Sequence, residues 1–222
     1  MILAIAATQL EMDPFIDAIN GTESQCITLV GGVGPVETAL RLATFLAKQQ
    51  GVIDLVVNFG IGGAYIDEEN AHPNLLDICL AECEIAGDFG VCLEESMEYF
   101  DTALSGGVEY PVDKQWFEKS SKVLKQKRIV FHSGPFITVN SVSGTRKRGD
   151  MLQRRWNGLC ENMEGASVAR VCREFGLPFV ELRSISNLVE DRNQASWKLH
   201  EACVIAAETA AILIKGIEYV PA

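Results

Sequence analysis

The chain has 222 residues, 48% hydrophobic and 22% charged, enough to bury one sizeable core without disulfide or metal staples. A net charge of −11 excludes the basic face that nucleic-acid binding needs, and no apolar run approaches membrane-spanning length. Seven cysteines without a C-x-x-C point to free thiols in a reducing cytoplasm, and three scattered histidines give no zinc spacing, so no metal is expected.

The chain opens on Ile2 to Ala7, a continuous apolar run expected as a strand covered on both faces, with Glu11 just past its end and a short helix over 12–19. Cys26 to Val30 is a second strand, running through a glycine turn at 31–34 into a helix from Val36 to about Gln50, with Pro35 suited to its first position. Ile53 to Asn58 is a third strand, closed by Phe59-Gly60-Ile61-Gly62-Gly63. Residues 77–91 read as one longer strand bent at Gly87, 94–112 as loop, and 113–124 as helix. Strands follow at 129–131 and 136–142, then a short basic helix near 146–155, read as a solvated face. A helix ending at Gly176 and Pro178, a strand from Phe179 to Ile185 that ends at Asn187, and a long helix over 194–215 complete the chain. Strands alternating with helices predict one α/β domain over 1–222, a mixed central sheet flanked by helices in three layers.

Two glycine turns invite ligands. Gly32-Val33-Gly34 lacks the third glycine of a dinucleotide fingerprint, and Glu37 would oppose a pyrophosphate, so no dinucleotide cofactor is expected there. Gly60 to Gly63 ends a strand at the edge where α/β sheets bind ligands, and reads equally as a plain turn or as a backbone approach to a ribose through Ile61 and Gly62. Glu164 stands where a helix begins and Asn187 where the next strand ends, which makes them candidate partners around one small molecule. Spacing alone favours plainer roles for the two, as a carboxylate on a helix dipole and a turn amide.

The segments Met163-Glu164-Gly165-Ala166 and Arg183-Ser184-Ile185-Ser186-Asn187, with a helix and a Pro-Phe strand between them, resemble the signature of the nucleoside phosphorylase and nucleosidase superfamily. The resemblance covers most of the chain. It implies that fold, no cofactor, a small purine nucleoside as substrate and a homo-oligomer of two or more copies. It further implies that Glu11 activates a water, Glu164 holds the ribose hydroxyls and Met163 packs under the sugar. Residues 136–145 would form one wall of the base pocket. The phosphorylases it resembles hold phosphate with an Arg and a hydroxyl residue where this chain has Asn58 and Ile61, so water is the expected nucleophile. Adenine nucleosidases carry Asp where this chain has Asn187. An amide offers a donor and an acceptor but no proton, which suits a 6-oxopurine. Among nucleosidases the resemblance is to one whose substrate bears a carboxylated 5′ extension, for which Arg192, or Lys198 nearby, is the expected partner. The competing readings are a nucleosidase of methylthioadenosine and adenosylhomocysteine, a phosphorylase, and a non-catalytic nucleoside-binding protein.

Overall fold

The computed structural model describes residues 1–20, 26–49, 51–67, 72–93, 96–101, 103 and 107–219. Strand β1 (Ile2–Ala6) pairs in parallel with β2 (Cys26–Val30) and with β3 (Leu55–Ala64), which in turn pairs in parallel with β10 (Phe179–Leu188). Beyond β10 lies β4 (Ile78–Ala86), antiparallel to it, then β8 (Phe131–Thr138) and the short β9 (Cys160–Asn162), which closes back onto β3. The mixed sheet therefore curls into a ring through β3, β10, β4, β8 and β9, with β1 and β2 as an open wing. A further strand, β7 (Glu109–Pro111), borders β4, and β5 (Gly90–Cys92) with β6 (Met97–Tyr99) forms a separate hairpin.

Alternation along the strands feeds two cores. Ile2, Ala4 and Ala6 pack against α1 (Gln9–Ile19), α3 (Lys114–Gln126) and the alanine-rich α6 (Leu199–Tyr219). Leu3 and Ile5 face the other way, toward α2 (Pro35–Lys48) and α5 (Gly165–Phe175). A third cluster seats α4 (Arg146–Trp156) through Leu152 against Tyr65, Ile137 and Val189. The expected mixed sheet with helices on both faces is present. Four of the seven cysteines, Cys79, Cys160, Cys172 and Cys203, are buried. Among the described residues no helix is long and apolar enough to cross a membrane.

Several boundaries differ from expectation. Helix α1 starts three residues earlier than the predicted 12–19, because Thr8 and Glu11 form a reciprocal capping box that puts Glu11 inside the first turn. Strand β3 does not stop at Asn58 but continues through its glycines, paired with β10 as far as Ala64. The predicted strand over 77–91 breaks at Gly87, where a side chain would come within 2.1 Å of Ile137. Instead of loop, 94–112 contains β6 and β7; its residues 94, 95, 102 and 104–106 lie outside the described residues. In place of the two predicted strands at 129–131 and 136–142 there is one, β8, which begins at Phe131 and ends at Thr138. The register shift between Ala81 and Cys83 of β4 lets Pro135, which lacks an N–H, lie within it. The predicted helix over 194–215 is a 3-10 turn (Gln194–Ser196) followed by α6, with Trp197 extended between them.

Candidate active site

The carboxyl ends of the parallel strands β1, β3 and β10 meet the amino end of α5, the crevice where open α/β sheets bind ligands. A cavity of about 310 Å³ opens there, within the range of small-molecule sites. It brings together all seven predicted residues: Glu11, Ile61, Gly62, Met163, Glu164, Asn187 and Arg192. Val142 and Ser143, from the segment expected to form a wall, also line it, whereas Asn58 and Lys198 do not. Asn58 is buried beneath the cavity, 1% exposed. A more open depression of about 770 Å³ lies between α3 and α5, and it gathers none of the predicted residues.

Glu11 is held by three donors. Its Oε2 accepts from the Thr8 amide (2.9 Å) and hydroxyl (2.8 Å), and its Oε1 from the Ile61 amide (3.2 Å). The close approach of β3 is possible because residue 60 is glycine: a Cβ there would lie 2.5 Å from Glu11 Oε1. Burial raises the Glu11 carboxyl above its ordinary range, and Arg183 partly offsets this.

Glu164 is the N-cap residue of α5, and its own side chain reaches outward instead of capping the helix. Its Oε1 accepts from the Gly34 amide (3.0 Å), and its Oε2 meets Arg183 Nη1 at 3.4 Å. The turn at 31–34, where no dinucleotide cofactor is expected, nonetheless serves the cavity. Gly34 (φ 87°) presents its amide to Glu164, while Val33 lines the wall. Asn162 does the capping in Glu164's place, its Oδ1 accepting from the amides of Glu164 (2.9 Å) and Gly165 (2.7 Å).

Beneath these groups lies a charged network that sequence reasoning left without a role. Arg183 is fully buried, paired with Glu181 (2.8 Å) and Glu164, and it donates to the Ile61 carbonyl (3.2 Å). Glu181 and Arg183 are two apart on one strand, so they share a face. Two charges in a strand buried on both sides were the signal available. Glu84 is also fully buried, hydrogen-bonded by Thr138 and Asn162. Burial, with Glu181 beside it, raises the Glu84 carboxyl well above its ordinary range. Among the described residues five buried glutamates (11, 84, 161, 164 and 181) accompany Arg183, the one buried cation.

At the opposite end, Asn187 receives a hydrogen bond from Ser186 Oγ (2.8 Å) and donates to the Leu188 carbonyl (3.2 Å), which leaves one amide hydrogen for a ligand. At the mouth the Arg192 guanidinium stacks on Trp197, 4.8 Å from the ring centre. Lys198 is turned to Glu201 (3.6 Å) and stays out of the cavity, so the structure separates the two cations that the sequence offered together.

This arrangement, two carboxylates at one end and an amide at the other, sits on a chain that matches the phosphorylase superfamily over residues 16–217. The chain is 30% identical to the futalosine hydrolase of Thermus thermophilus, over 91% of this chain and 90% of that one. It is 24% identical to the 5'-methylthioadenosine/S-adenosylhomocysteine nucleosidase of Staphylococcus aureus, over 88% and 83%. A futalosine hydrolase structure from Helicobacter pylori superposes with a TM-score of 0.82 at 18% identity, covering 96% of this chain and 98% of that one. The chain belongs to the phosphorylase superfamily. Within it, the chain stands with the nucleosidases, the N-glycosyl hydrolases.

Proposed function

We propose that this nucleosidase hydrolyses the N-ribosidic bond of futalosine and releases hypoxanthine, a step of the alternative menaquinone pathway in the cytoplasm. The observation that carries the hydrolytic reading is the charge of the site. Arg183 is consumed by Glu181 and Glu164, so the sugar end of the cavity is left net negative. Such a field stabilises the oxocarbenium-like charge of glycoside cleavage and repels a phosphate nucleophile. In this reading Glu11 takes a proton from water as the oxygen bonds to the anomeric carbon. Glu164 holds the ribose hydroxyls over Met163, with the backbone of Ile61 and Gly62 beside them. The bond electrons pass to the purine, and Asn187 donates a hydrogen bond to the base as it leaves. The proton lost by the water ends on the released base.

Futalosine is preferred as substrate because the chain is similar to the futalosine hydrolases and because Arg192 stands at the mouth. No carboxylate among the described residues lies within ion-pair distance of Arg192, so it is open to a substrate carboxylate. Methylthioadenosine is the second reading, favoured by the Staphylococcus aureus relative and opposed by the amide at position 187. The working form is proposed to be a homo-oligomer, and Leu10 and Val33, both more than half exposed at the rim, are apolar positions that a second copy would cover. The test is a substrate panel of futalosine, inosine and methylthioadenosine. Preferred release of hypoxanthine from futalosine supports the proposal, equal cleavage of inosine removes the role of Arg192, and adenine release from methylthioadenosine overturns it.

A further inference from the structure

One buried carboxylate of the cavity has no part in the mechanism above. Glu161 is 4% exposed and lies on β9, opposite Gly63 of β3, and Gly63 in turn is opposite Asn187 of β10. The three positions form one row across adjacent strands, and the outer two side chains lie on the same face. A Cβ at Gly63 would sit 3.0 Å from Asn187 Nδ2 and 3.5 Å from Glu161 Cγ. Glycine at 63 therefore lets a carboxylate and an amide stand side by side at the base end of the cavity.

Glu161 is an acceptor through both oxygens, and these hydrogen bonds work against the burial that raises its carboxyl above the ordinary range. Its Oε1 accepts from the Ser143 amide (2.7 Å), and its Oε2 from the Ser143 hydroxyl (2.6 Å) and the Tyr65 hydroxyl (3.3 Å). No cation among the described residues makes an ion pair with it. A carboxylate offers about four acceptor positions; three are filled from the protein, which leaves one on a side chain that lines the cavity. A 6-oxopurine carries an N1–H donor next to its O6 acceptor, whereas a 6-aminopurine has a bare acceptor at N1. From the row of Glu161, Gly63 and Asn187, we infer that Glu161 is the base-selecting residue: it accepts the N1–H of a 6-oxopurine and repels the N1 lone pair of a 6-aminopurine. The inference deepens the proposed function and rests on its 6-oxopurine reading.

The test is Glu161→Gln, assayed on futalosine and on its 6-amino counterpart, the same nucleoside with the oxo group replaced. The amide keeps the size of the side chain and presents a donor where a 6-aminopurine can accept. The expected result is a fall in kcat/KM for futalosine of about ten- to a hundredfold, the loss of one charge-assisted hydrogen bond. Cleavage of the 6-amino substrate should hold or rise, so the ratio between the two collapses. An equal fall for both would mean that Glu161 only anchors Ser143, and would overturn the inference while leaving the 6-oxopurine reading intact. A wild-type protein that cleaves both substrates equally would sink that reading and the inference with it. Product inhibition gives a second readout, which in the wild type does not depend on any variant's folding. Hypoxanthine should inhibit more strongly than 1-methylhypoxanthine, and Glu161→Ala should narrow that gap; an unchanged gap contradicts the role.

Discussion

Gly60→Ala probes the placement of Glu11 with a single methyl group. Gly60 has no left-handed backbone angle, so alanine adds no backbone strain and the effect is steric. The new Cβ would lie 2.5 Å from Glu11 Oε1 and 2.9 Å from Arg183 Nη1, while ordinary contact begins near 3.4 Å, so the oxygen must retreat by about 0.9 Å. Glu11 has little room to yield, because Thr8 holds its other oxygen twice. The bond from the Ile61 amide, 3.2 Å long, is the one that breaks. Misplacing a reacting group by about 1 Å costs on the order of a hundredfold, or about 2.7 kcal/mol in the barrier. The assay is steady-state nucleoside hydrolysis, with the thermal midpoint measured in parallel. kcat should fall by about a hundredfold, with KM changed far less and the fold retained. A Gly60→Ala protein that stays folded with wild-type kcat would refute the claim that Glu11, held from Ile61, activates the nucleophile.

Because a base must be ionised, kcat/KM should decline as the pH is lowered through the raised Glu11 pKa, at higher pH than an ordinary carboxylate would give. Glu11→Gln should abolish this acid limb along with most of the activity, and a pH–rate profile checks both. For Glu84 the folded carboxyl binds a proton that the unfolded chain releases. Its contribution to stability is full below the unfolded pKa and is lost as the pH climbs through the raised folded value. Glu84→Gln, which mimics the protonated acid, should flatten this decline, at most about 1.4 kcal/mol per pH unit, in denaturant melts at several pH values. Arg192→Ala should raise KM for futalosine roughly three- to tenfold and leave inosine unaffected, the modest effect expected of an exposed cation. Equal changes for both substrates would remove Arg192 from the substrate's carboxylate.

What could be read from the sequence was whatever lies close along the chain. The apolar run Ile2 to Ala7 identified a central strand because both faces are covered, and Gly176 ends α5 in the left-handed conformation its position foretold. The Thr8-x-x-Glu11 capping box was equally local and would have fixed the start of α1. Glu161 could not be found this way. Its meaning comes from a row with Gly63 and Asn187, set by strand register between segments far apart in the chain. The break at 87 also depends on tertiary packing, since Ile137 crowds Gly87; at 197 the extended Trp197 stacks under Arg192.

The central claim, hydrolysis of futalosine by water, is tested most directly by following both halves of the substrate in phosphate buffer. Chromatography should find hypoxanthine together with the free, unphosphorylated sugar, at a rate indifferent to phosphate concentration. A sugar 1-phosphate, or a rate that rises with phosphate, would contradict the account, because it would mean that the negative site around Glu11 and Glu164 accepts the anion that it is expected to repel.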